Sequence, residues 1–206
     1  MRGHEELLVL HRALSSGPMR GPIEWAVEEA RRVAKLPGIK TISIPTTMVG
    51  RPYSSPDYEP LWATLEEIGQ PVSIHIGTTS EPLYDRFLKL GVGVGVVEAT
   101  GQLGMAELIW AGIPQRYRKL RFIMAEAGIG WIPTVLGHVE EDRPRIVLVR
   151  EGLIPMERLM WGADYPHTEG TFPRSQQAIA KDFTGLDEAD LYKLVVGNAT
   201  ELYGLA

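Results

Sequence analysis

The sequence predicts an α/β fold built on a parallel sheet, and two observations predict it. Short apolar stretches alternate along the chain with amphipathic helical segments, the pattern left by consecutive βα units. Three of these stretches also end in an ionisable residue at the entry to a loop. They are His75 after Val72-Ser73-Ile74, Glu126 after Phe122-Ile123-Met124-Ala125, and Asp164 after Met160-Trp161-Gly162-Ala163.

The elements follow in order. Residues 1–21 mix charged and apolar side chains and break at Ser15-Ser16-Gly17-Pro18, so an irregular N-terminal segment is expected. Pro22 suits a first helical position. Ile23, Ala26, Val27, Ala30, Val33 and Ala34 then recur at helical spacing opposite Glu28, Arg31 and Arg32. Leu36-Pro37-Gly38 ends that helix, and Ile39 to Ile44 reads as a strand. Leu61, Leu65 and Ile68 mark a second helix closed by Gly69, and Pro71 to Gly77 reads as a second strand. Glu81 to Leu90 is helical, Gly91 to Thr100 fits neither pattern, and Gln102 to Ala111 is helical again. Leu120 to Ala125 and Arg158 to Ala163 complete the strand candidates. A helix is expected from Ile132, another over Gln176 to Ala180, and a last one over Leu186 to Tyr203, broken near Gly197. Neither a repeat nor a linker divides the chain, so one domain over residues 1–206 is expected.

Composition narrows the chemistry. The 26 acidic and 21 basic side chains give a net charge of −5, which argues against binding a phosphate backbone. The chain has no cysteine, which excludes disulfides, thiolate metal sites and cysteine nucleophiles. No apolar run reaches the roughly 18 residues of a membrane span. Met1 to Arg12 has no clean apolar stretch of the signal-peptide kind, so a cytoplasmic protein is the expectation. Gly91-Val92-Gly93-Val94-Gly95 lacks both the spacing and the preceding strand of a dinucleotide loop. No Gly-x-Ser-x-Gly elbow is present.

Ligands of parallel α/β folds gather at the carboxyl ends of the strands. An imidazole and carboxylates there form a ligand set for a divalent metal, which can generate a nucleophilic hydroxide from bound water. The bland alternative is that each residue caps a helix or bonds a loop amide. Of the other histidines, His4 and His11 would lie ~10 Å apart on one helix face, too far for a shared ion. His138, beside Glu140, Glu141 and Asp142, reads as surface. His167, in Asp164-Tyr165-Pro166-His167, could orient a ligand, contact substrate or bond its own turn.

Four segments together resemble a known family. They are Pro71 to Gly77, Arg121 to Pro133 with Glu126 at its centre, Trp161 to Gly170 with the Asp-Tyr-Pro-His block, and Gly197-Asn198-Ala199-Thr200-Glu201-Leu202-Tyr203-Gly204. In this order they resemble the amidohydrolase-related (amidohydrolase 2) family of aminocarboxymuconate-semialdehyde decarboxylase-like metal-dependent hydrolases. The resemblance runs from about residue 22 to the C-terminus and implies a TIM-like (β/α) barrel, here partial or shortened. It implies a divalent metal, zinc first and manganese second, with His75 and Asp164 as metal ligands. Glu126 becomes a third ligand or the base, His167 a turn histidine of the catalytic set, and Asn198 a structural asparagine. Two departures stand beside it. The family's first-strand His-x-His is absent, since no two of the five histidines are separated by one residue. Glu126 stands where many members carry a water-activating histidine.

The resemblance implies a hydrolase that activates water on the metal for attack on a small carboxylated or cyclic substrate. A non-oxidative decarboxylase of the same family is the alternative, and a truncated, non-catalytic barrel remnant is the alternative from another class. Such a barrel takes about 250 residues, with about 200 as a lower bound, and four strand candidates are half of its eight. The segment between Glu126 and Asp164 is short for the rest of a sixth unit and all of a seventh, since one βαβ unit takes roughly 30 residues or more, and the resemblance suggests that an internal segment is missing. Ile146-Val147-Leu148-Val149 is the only seventh-strand candidate there, and the resemblance favours helix for it. A third expectation makes the chain the C-terminal part of a longer protein whose first strand carries His-x-His. The open sheet edges of a part-barrel predict self-association into a homo-oligomer. No nucleic-acid or membrane partner is expected beside the small-molecule substrate.

Overall fold

The computed structural model describes residues 23–46, 51–75, 94–128, 155–166 and 170–205. His4, His11, His138 and His167, the segment 1–21, and the expectations for Glu81–Leu90, for the stretch from Ile132 and for Ile146–Val149 lie outside them. The chain divides into two units, Met1–Ile129 and Gly130–Ala206.

In the first unit, α1 (Ile23–Val33) buries Ile23, Ala26, Ala30 and Val33, the stripe that the helical spacing predicts. β1 is Ile42–Ile44, the last half of the expected strand. A 3₁₀ turn at Pro56–Tyr58 is capped by the Ser55 side chain, which accepts from the Asp57 amide. It feeds α2 (Glu59–Ile68), which ends as expected at Gly69. There φ of 74° suits a residue without Cβ, and the Gly69 N–H closes onto Leu65. β2 (Val72–His75) and β3 (Phe122–Ala125) complete a parallel sheet in the order β1-β2-β3. Ile42 pairs with Val72, and Val72 with Phe122, so the three strands run in step to the same edge.

The core lies between this sheet and its helices. Trp62, Tyr53, Tyr58, Leu61 and Leu65 are fully buried with Ile44 and Ile74. Tyr53 meets Trp62 edge-on at 5.5 Å, and Trp62 meets Phe122 edge-on at 6.2 Å, geometries that aromatic quadrupoles favour. Tyr53 Oη donates to the Pro45 carbonyl at 2.6 Å and so brings its phenol into the interior with a partner. Burial pushes the Tyr53 hydroxyl well above its ordinary pKa.

Helix α3 (Val94–Trp110) begins well before the expected Gln102. Gly95, Gly101 and Gly104 depress helix propensity across this stretch and hide its period. Gly104 is required by close approach, because a Cβ there would fall 1.8 Å from the Thr46 carbonyl oxygen. A short helix, α4 (Ile113–Arg116), returns the chain toward β3.

In the second unit, a 3₁₀ turn at Met156–Arg158 leads into an extended run. The expected strand at Arg158–Ala163 is corrected here. Leu159 is extended (φ −103°, ψ 139°), yet among the described residues the run joins no sheet. The Trp161 N–H donates instead to the Leu194 carbonyl of the C-terminal helix at 2.9 Å, so a helix takes the bond a ladder would use. Helix α5 (Ser175–Asp182) follows. The last helical stretch is interrupted where a break near Gly197 is expected, by a π-turn that ends at that residue. It runs through α6 (Glu188–Tyr192), a π-turn (Lys193–Gly197) and α7 (Asn198–Tyr203). Gly197 lies against the Tyr192 ring, which a Cβ would meet at 3.1 Å. Among the described residues no helix is long and apolar enough to cross a membrane.

Candidate active site

His75 and Glu126 come together at the carboxyl edge of the sheet. His75 is the last residue of β2 and pairs with Ala125, the last of β3. Glu126 is therefore the first residue past the neighbouring strand, and parallel pairing brings the two side chains alongside. His75 Nε2 lies 3.1 Å from Glu126 Oε2. The imidazole is half exposed and the carboxylate mostly covered, with side-chain exposures of 47% and 25%. The pair is reachable from solvent at the edge where ligands of this architecture bind.

Glu126 adopts φ of +65°, and Asp164 adopts φ of +54°. Among the described residues they are the only non-glycine positions with positive φ, and both are carboxylates singled out by their place after an apolar stretch. An L-residue holds this conformation only where its surroundings impose it, and such positions concentrate at functional sites. Nothing in the residue type Glu signals this backbone, so sequence reading misses it. Gly128, also at positive φ (+57°), is the one nearby hint.

Asp164 belongs to the second unit, in a turn closed by the Thr171 N–H donating to the Ala163 carbonyl at 2.9 Å. Thr171 Oγ1 also lies 2.9 Å from Ser175 Oγ, which anchors the turn to the start of α5. Tyr165 and Phe172 meet edge-on at 5.0 Å across the turn and remain exposed. Thr171 went unmarked in the sequence, since its bonds to Ala163 and Ser175 follow from the turn and not from a capping position. Asn198 sits where the resemblance expects a structural asparagine.

A divalent ion fits the His75–Glu126 pair as part of its ligand set. Imidazole nitrogen and carboxylate oxygen suit zinc or manganese. Two ligand atoms about 2.0–2.2 Å from one ion stand about 3–3.5 Å apart, and the observed 3.1 Å falls within that span. No group of three or more His, Cys, Asp or Glu side chains that could hold a metal ion is gathered among the described residues.

The chain is similar to known proteins over most of its length. The family profile described as Amidohydrolase matches residues 15–205. The chain is 26% identical over 226 aligned positions to 2-amino-3-carboxymuconate-6-semialdehyde decarboxylase of Dictyostelium discoideum, covering 93% of this chain and 60% of that protein. It thus spans little more than half the length of this relative. An amidohydrolase from Mycobacterium avium subsp. paratuberculosis superposes with a TM-score of 0.68 at 21% identity, over 89% of this chain and 55% of that one. The 5-carboxyvanillate decarboxylase of Sphingomonas paucimobilis superposes with a TM-score of 0.67 at 16% identity, over 97% and 71%. These likenesses show the fold, which is of the amidohydrolase (β/α)-barrel type. Its profile matched across nearly the whole length, the chain belongs to the amidohydrolase family.

Proposed function

We propose that this chain carries the metal-dependent chemistry of its family on a small carboxylated or cyclic substrate, with His75, Glu126 and Asp164 as the metal-binding residues. The observation that carries the reading is the meeting of His75 and Glu126 at the carboxyl edge of the parallel sheet. Asp164 is included because the family resemblance implies it as a ligand, and it shares a left-handed backbone with Glu126. Bound there, a divalent ion supplies electrophilic polarisation of the substrate and lowers the pKa of bound water. Glu126 serves either as third ligand or as the base that moves a proton, and His167 orients substrate or the ligand turn.

Of the two reactions open to such a site, non-oxidative decarboxylation is favoured over hydrolysis. The support is that the Dictyostelium relative and the Sphingomonas structure are both named as decarboxylases of carboxylated substrates. In that reaction the bond to the carboxylate carbon breaks, carbon dioxide leaves, and the carbon left behind takes up a proton. Hydrolysis draws on the same site and adds water across an amide or lactone.

The test supplies zinc or manganese to metal-stripped protein and follows two panels, carboxylic acids for carbon dioxide release and lactones and amides for hydrolysis. Carbon dioxide release that disappears in His75→Ala and in Asp164→Ala is the expected result, together with one ion retained per chain by elemental analysis. Activity that survives both substitutions overturns the metal mechanism. A chain that retains no ion after reloading supports the non-catalytic remnant instead.

A further inference from the structure

We infer that Asn198 is a positioning residue for Asp164, fixing the carboxylate by clamping the backbone that leads to it. The inference rests on the reading of Asp164 as a metal ligand.

The clamp is built from side-chain amide to main chain. Asn198 is buried, and its Nδ2 donates to two carbonyls, Met156 and Leu159, each at 2.7 Å. An amide nitrogen carries two N–H donors, and here one carbonyl opens the 3₁₀ turn and the other lies just past its end. That turn opens directly into the run Leu159 to Asp164. Three residues before Asp164, the Trp161 N–H donates to the Leu194 carbonyl. Leu194 lies in the π-turn, where bonding five residues apart takes a carbonyl out of the usual α-helical series and releases it for an outside donor. The same wide turn precedes Asn198, so one helix irregularity presents both anchors to one segment. Beyond Asp164, the Thr171 N–H closes onto Ala163. The aspartate at φ +54° is therefore held from both sides, and Asn198 is the anchor whose side chain can be removed without touching the turn itself.

A purely structural asparagine would weaken the fold and lower metal affinity through every ligand at once. A positioning residue acts through Asp164 alone, and a double-mutant cycle separates the two. Zinc affinity is measured by competition titration on the full chain for wild type, N198A, D164N and the double variant. The titrations are run at a temperature where circular dichroism shows all four folded. N198A is expected to raise the zinc Kd about tenfold, the lower end for residues that orient a metal ligand. The double variant is expected to bind no more weakly than D164N alone. Zinc affinity unchanged in N198A while D164N is weakened overturns the inference, and so do additive effects. Should D164N bind zinc as wild type does, or wild type bind none, the assignment of Asp164 as a ligand fails and the inference with it. If N198A does not fold, N198S, which keeps one donor, takes its place in the cycle. Loss of fold in both, with D164N folded, also overturns the inference.

Discussion

The first unit holds Glu126 from beneath by packing, whereas the second holds Asp164 from its flanks by hydrogen bonds. Under Glu126 lie a three-stranded sheet in register and a core whose largest side chains are fully buried. Around Asp164 the buried side chains among the described residues of its unit are Leu194 and Asn198. The two carboxylates nonetheless share a left-handed backbone, at φ +65° and +54°. A conformation that sterics disfavour thus stands beside a close-packed sheet in one unit and among main-chain bonds in the other. The two settings differ in what breaks them: packing fails when volume changes, and a clamp fails when a donor is lost.

The strongest test of this contrast makes one substitution in both places. In G104A the new methyl group falls 1.8 Å from the Thr46 carbonyl, and helix α3 must move off the sheet. A loss of about 3 kcal/mol is expected, the upper end of the usual range for overpacking. In G162A the methyl group meets nothing within 4 Å, so a change within about 0.5 kcal/mol is expected. Urea unfolding measures both, and equal losses would erase the distinction between the units.

A smaller effect with the opposite sign concerns the carboxylates. Glycine at position 126 relieves the left-handed backbone, so E126G should stabilise the protein by about 1 kcal/mol while zinc affinity falls. D164G should gain less, because aspartate tolerates this conformation better than glutamate. Thermal melts with and without zinc check the order, and a destabilised E126G would mean that Glu126 holds its strand end by more than conformation.

The smallest effect asks how far the first unit also depends on surface bonds. Tyr117 Oη donates to Glu59, and Arg116 donates to the same carboxylate at 2.7 Å. The bond from Tyr117 comes first in holding the Glu59 carboxyl below its ordinary range; burial opposes it, and the Arg116 guanidinium adds to the lowering. Burial, and after it the bond to Glu59, pushes Tyr117 up to about 12. The depressed carboxyl contributes stability above its ordinary pKa and loses it as pH falls through the lowered one. The raised phenol contributes fully below a pH of about 10, and that contribution is lost as pH rises through about 12. Y117F should flatten both ends of the stability profile. The change should stay within about 1 kcal/mol, since exposed pairs are screened and the Arg116 and Glu59 side chains are 45% and 40% exposed.

What was legible in the sequence follows from the same contrast. Period and caps show α1, α2 with its Gly69 stop, and the cores of β2 and β3, because burial against a sheet imposes a regular pattern. His75 and Glu126 were legible as a pair once both strands were read as parallel, since equal register brings strand ends together. The run Arg158 to Ala163 resembles a strand, but its bond goes to a helix carbonyl 33 residues downstream, and periodicity carries no record of that. The first turns of α3 were hidden by Gly95 and Gly101. The left-handed backbones left no mark in residue type. Asn198 was visible only through family resemblance, and its two carbonyl partners only through the structure.

The backbone at residues 126 and 164 also has a meaning in the genetic code. Glutamate and aspartate codons each become glycine codons by one A-to-G change in the second base, among the commonest kinds of mutation. At both positions mutation keeps offering a residue that fits the local conformation better, and this sequence carries the acid at each. Glycine at either position would keep the backbone conformation and remove a group able to bind a cation or carry a proton.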